Sequence, residues 1–93
     1  MNQPWISAVN VRSREEASAY LDAAFEIGAD NPRFIAHALG VVVRGYGISD
    51  LSRQTGIARE NLYRSLSQEG NPSLATLCKV VQALGLRFRI EPL

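Results

Sequence analysis

A chain of 93 residues holds one domain and leaves no room for a second core. Its apolar fraction of 46% is that of an ordinary globular chain, residues 40–43 are far too short an apolar run to span a bilayer, and a lone cysteine, Cys78, excludes an intramolecular disulfide. With no signal peptide either, the chain reads as cytoplasmic, and its net charge of +1 neither demands nor forbids a polyanionic partner.

In chain order, residues 1–12 show no helical period and form an N-terminal arm, in which residues 5–9 suit a short strand. Residues 13–43 hold two helices. Ser13 with Glu16 fits a capping box, Ala17, Leu21, Ala24 and Phe25 follow at helical spacing, and Gly28 closes the first helix. Asn31-Pro32 opens the second, because Asn caps and Pro is tolerated at the first helical position. Ile35, Ala38, Leu39 and Val42 form its buried stripe, and the sequence Arg44-Gly45-Tyr46-Gly47 breaks it. Two short helices follow, at about residues 48–55 and 58–66, separated at Gly56. Residues 68–72 form a turn. A last helix over 73–84 takes its core face from Leu74, Leu77, Val80, Val81 and Leu84, and Gly85 ends it. Cys78, lying between these core positions, reads as a small buried hydrophobe. Leu86, Arg87, Phe88, Arg89 and Ile90 alternate apolar and basic residues with period two, the pattern of a half-exposed strand. Such a strand needs a neighbour: residues 5–9, a second copy of the chain, or another protein.

The pair of short helices over residues 47–66 carries the chemistry. A tight turn between two helices needs a residue that tolerates positive φ, which Gly56 supplies, while Leu51, Ile57 and Leu62 pin the pair together. Ala58, Arg59, Glu60, Asn61, Tyr63 and Arg64 then lie outside the core or at its edge. Arg reads guanine bidentately, Asn reads adenine and Glu accepts from cytosine, so this outward set suits the major groove of DNA. Ser49, Ser52, Gln68 and Asn71 are placed to hold phosphates from the flanking turns. The charge distribution agrees: residues 1–43 carry three arginines against five carboxylates, and residues 44–93 carry seven basic groups against four. The plainer alternative is a solvated helix face with a Glu60–Arg64 pair at i,i+4.

The run from Gly47-Ile48-Ser49-Asp50-Leu51 through Gly56-Ile57-Ala58-Arg59-Glu60-Asn61-Leu62-Tyr63-Arg64 resembles the Cro/C1-type helix-turn-helix of addiction-module antidote proteins. Gly70-Asn71-Pro72-Ser73-Leu74, Ala83-Leu84-Gly85-Leu86, and upstream Ala19-Tyr20-Leu21-Asp22 with the Asn31-Pro32 helix extend the likeness over about residues 13–91. The resemblance implies a bacterial HigA-like antitoxin that silences a RelE/ParE-superfamily toxin, a cleaver of translated messenger RNA, and whose dimer represses the shared promoter. It also implies Arg59, Glu60, Asn61 and Arg64 as the base-reading positions. Ala58 departs from the family pattern, which has a capping Ser there.

Together these readings predict an all-α, five-helix Cro/C1 repressor-like DNA-binding domain with a short β element at the termini, acting as a homodimer. Leu86 to Ile90 are the expected dimer or partner contact. His37 lacks a second ligand at metal spacing and no catalytic set is present, so neither a metal, a cofactor nor enzymatic activity is expected. A stand-alone phage-type regulator without a toxin partner, and a purely protein-binding module, are the competing readings.

Overall fold

The structure is a computed structural model that describes residues 13–67 and 69–93. The expected N-terminal arm over residues 1–12 lies outside them.

Five helices follow one another: α1 (Arg14–Gly28), α2 (Pro32–Tyr46), α3 (Ile48–Thr55), α4 (Arg59–Ser65) and α5 (Leu74–Ala83). Three start where a side chain accepts a first-turn amide. Ser13 Oγ accepts from Glu16 N–H at 3.1 Å, Asn31 Oδ1 from Phe34 N–H at 3.2 Å and Ser73 Oγ from Thr76 N–H at 3.1 Å. Pro32 occupies the first position of α2, where no N–H is needed.

Helix α2 runs one turn further than its sequence suggests. Arg44-Gly45-Tyr46 stays helical because Val43 and Tyr46 are buried, and the chain turns only at Gly47, whose φ is 117°. The core gathers around α2: Ile35, Ala38, Leu39, Val42, Val43 and Tyr46 meet Ala17, Leu21 and Ala24 of α1. From the other side come Leu51, Leu62, Leu66, Val80, Val81 and Leu84. Helix α1 packs on α2, while α3 touches α2, α4 and α5, so the short α3 links the two ends of the core.

Several positions differ from the sequence-based expectation. Leu74 is 74% exposed, because the first turn of α5 overhangs the core that Val80, Val81 and Leu84 fill and Leu77 borders. Cys78 is exposed rather than buried: at roughly 100° per residue it falls about a third of a turn off that stripe. Phe25 lies at the margin of the α1 stripe and is exposed as well.

The alternating tail does not form a strand, and none is present among the described residues. Helix α5 ends instead in a Schellman motif: Leu86 N–H donates to Val81 O and Gly85 N–H to Gln82 O, both at 3.0 Å, with Gly85 at φ 81°. Leu86 is thereby drawn against the core, and residues 87–93 leave the helix end with no neighbouring strand among the described residues. No helix among the described residues is long and apolar enough to cross a membrane.

Candidate nucleic-acid interface

Helices α3 and α4 are joined by Gly56-Ile57-Ala58, and the turn is held mainly by short polar side chains of α3. Gly56 adopts φ 75°, ψ 9°, the left-handed conformation, and its N–H donates to Ser52 O at 2.9 Å. Ser52 Oγ donates to Ile57 O at 2.6 Å. Thr55 Oγ1 donates back to Leu51 O at 2.8 Å and accepts from Ile57 N–H at 3.2 Å. Beneath this polar strap Leu51 and Leu62 are fully buried, and Ile57 packs beside them. The angle between the helices is therefore fixed by both an apolar pin and a hydrogen-bonded brace.

Helix α4 starts at Arg59 rather than Ala58. Ala58 is its N-cap, in an extended conformation, and supplies no side-chain bond to the first-turn amides. The opposite end is better held. Ser65 Oγ donates to Asn61 O at 2.8 Å and Ser67 Oγ to Arg64 O at 3.0 Å. Two glycines close on the same end: a Cβ at Gly40 of α2 would overlap the Leu66 carbonyl oxygen, and one at Gly70 would overlap the carbonyls of Arg64 and Ser65. Backbone approaches backbone directly there, so α4 is anchored from its C-terminal end and presents its N-terminal end outward.

Arg59, Glu60, Asn61, Tyr63 and Arg64 are all exposed, and the helical period spreads them over the surface of α4 away from Leu62. Arg59 Nη1 donates to Ser49 Oγ at 3.1 Å, so a side chain from the first turn of α3 and one from the first turn of α4 meet. Tyr63, 48% exposed, stands one turn beyond Arg59 and borders a shallow recess with Gly40, Val43, Arg44 and Ile48. Glu60, Asn61 and Arg64 lie further around the helix. Glu60 and Arg64 do not pair: among the described residues the ion pair formed is Asp50–Arg53, on α3. Arg64 is exposed and forms no ion pair among the described residues.

The remaining predicted contacts divide. Asn71 is exposed next to the buried Gly70. Ser52 is half-buried with its proton committed to Ile57, which makes it first a brace of the turn. Gln68 lies outside the described residues. Leu86 packs on the core, while Arg87, Phe88, Arg89 and Ile90 are exposed. No group of three or more His, Cys, Asp or Glu comes together at metal-holding distance among the described residues.

Thr55 and Gly40 were not singled out from sequence, and Gly70 was read only as part of a turn, yet all three position the outward face. A Thr one residue before a turn glycine is a legible sign of such a brace. Gly40 leaves no such sign, because its close backbone approach to Leu66 joins residues distant in the chain.

The pattern of a protein family described as "Probable addiction module antidote protein" matches residues 3–92. An uncharacterized protein of Haemophilus influenzae (strain ATCC 51907 / DSM 11121 / KW20 / Rd) is 40% identical over 84 residues, covering 90% of this chain and 84% of that protein. No solved structure matches. With nearly its whole length matched, the chain belongs to the family of probable addiction module antidote proteins.

Proposed function

We propose that this chain is the antitoxin of a type II toxin–antitoxin module, which binds and neutralises a RelE/ParE-superfamily toxin and represses its own operon by sequence-specific DNA binding. The observation that carries the DNA half is the braced α3–α4 pair with Arg59, Glu60, Asn61 and Arg64 exposed on one short helix. The geometry supports a helix-turn-helix of the Cro/C1 type in which α4 enters the major groove and reads base edges. Ser49 and Asn71, both exposed, are the proposed sugar-phosphate contacts at its flanks. Membership of an antidote family supports a toxin partner and favours the antitoxin over a stand-alone phage-type regulator.

Repression calls for a homodimer that spans two half-sites about 34 Å apart, one turn of the duplex. In this reading the chain acts in the cytoplasm of a bacterium by binding, not by catalysis, and needs no metal or cofactor.

The test is titration of the purified chain against the DNA immediately upstream of its own operon, at two salt concentrations. Tight binding that survives random competitor, with an affinity that falls steeply as salt rises, is the expected result. Binding abolished by competitor at both salts would remove the repressor half. Co-purification with the product of the adjacent reading frame tests the other half.

A further inference from the structure

Arg59 is the first residue of α4 and stands at the end of that helix with the least local support. The C-terminal end is seated against Gly40 and Gly70, whereas Ala58 gives the first-turn amides no side-chain partner. What steadies Arg59 comes from the other helix. Its Nη1 donates to Ser49 Oγ at 3.1 Å, a partner ten residues earlier in the chain. Ser49 has no capping role in its own helix, because the N-cap of α3 is Gly47 and no side chain caps that end. Both residues are exposed, so the contact bridges the outer surface of the two helices rather than their core.

The chemistry of the pair is selective. A guanidinium is planar and offers its N–H groups in a rigid fork. Its Nη1 lies on the side of Cδ, so a partner there leaves the opposite edge, Nε with Nη2, whole. That edge matches O6 and N7 of guanine. The partner of Nη1 is also neutral. Asp50, the carboxylate beside Ser49 on α3, is taken by Arg53, and Arg59 forms no ion pair among the described residues. A hydroxyl thus orients the guanidinium without cancelling the charge that attracts DNA. Ser49 accepts with an oxygen lone pair, which leaves its own proton for the phosphate contact proposed above.

From this we infer that Ser49 is a positioning residue for base reading: by holding Nη1 it aims the Nε–Nη2 edge of Arg59 at a guanine, and sets specificity at a base pair it does not itself touch. The inference rests on the DNA-binding reading and deepens it. A long side chain held in place before binding loses less rotamer freedom when DNA arrives, and it reaches fewer alternative bases.

The test titrates the full chain against the DNA upstream of its own operon, and against copies of that DNA with each base pair replaced in turn. Arg59→Ala marks its base pair as the one where the wild type discriminates and the variant does not. Ser49→Ala weakens binding of the unaltered DNA and narrows discrimination at that same pair. It does much less in the Arg59→Ala background, so the two changes are coupled by about threefold or more. Ser49→Thr, which keeps the hydroxyl, keeps the discrimination. All variants retain wild-type helicity, since both positions are exposed. A Ser49→Ala loss that is equal on every DNA and adds to that of Arg59→Ala within about twofold overturns the inference and leaves the DNA-binding reading intact. An Arg59→Ala variant that discriminates at every pair as the wild type does overturns it too. A wild-type chain with no preference for the upstream DNA over random competitor removes that reading, and this inference with it.

Discussion

Gly56 and Gly40 constrain α4 in different ways, and their replacement separates them. A Cβ at Gly56 meets nothing within 4 Å, so its requirement is the left-handed φ of 75° alone. Gly56→Ala therefore lowers stability by about 1–2 kcal/mol, the usual penalty for an L side chain in that region, with the packing beneath the turn untouched. At Gly40 the backbone is ordinary helix, where Ala gains about 1 kcal/mol of intrinsic propensity. The new methyl nevertheless overlaps the Leu66 carbonyl, which must move, and overpacking of this kind costs about 1–3 kcal/mol. Gly40→Ala thus shifts the anchored end of α4 and weakens operator binding more than its change in denaturation midpoint indicates. Gly56→Ala loses stability and affinity in proportion. Ala58 supplies the opposite case. A hydroxyl at this extended N-cap would accept one of the uncapped first-turn amides of α4, so Ala58→Ser raises stability by about 1 kcal/mol, readable as a higher midpoint at unchanged slope. Among the proposed DNA-reading side chains, Arg59 and Arg64 are the cations. Arg59→Ala with Arg64→Ala leaves the unfolding midpoint in place, since both are exposed, but weakens operator binding and reduces its salt slope.

Elements were legible in the sequence wherever a local signal specified them. Ser13 and Asn31 announce two helix starts and each accepts a first-turn amide, as Ser73 also does for α5, while the turn glycine between α3 and α4 sits where positive φ is needed. The stripe of α2 was legible for the same reason, its period being fixed by one continuous buried face. What escaped was decided by neighbours. The last turn of α2 persists through Gly45 because Tyr46 is buried and bonded to Gln54 Nε2, a partner eight residues on. Leu74 matches the period of α5 but overhangs the core, and no pattern within one helix reports where its neighbours stop. Of the outward face, Arg59 to Arg64 were legible as exposed, whereas the Ser49–Arg59 contact and the glycine seat of α4 depend on how separate helices meet.

At the scale of the whole molecule the tail beyond Leu86 is exposed from Arg87 to Leu93. The Schellman bonds and Leu86 complete the core, whereas Phe88 and Ile90 remain exposed, Ile90 to 96%. A period-two segment without a partner strand gains little by standing alone, since a sheet needs a second strand to satisfy its amides. In the homodimer proposed above, the tail of each copy would offer its neighbour the same edge, a second strand related by the two-fold axis. A chain ending at Leu86 accordingly keeps its helical content and its unfolding cooperativity, because nothing removed is buried. Its self-association is lost, and operator affinity falls steeply because two half-sites are no longer held by one particle. Sedimentation of the full and shortened chains at matched concentration reads the first effect, and operator titration of the same samples reads the second. A shortened chain that still sediments as a dimer would move the two-fold contact off the tail and onto the helices.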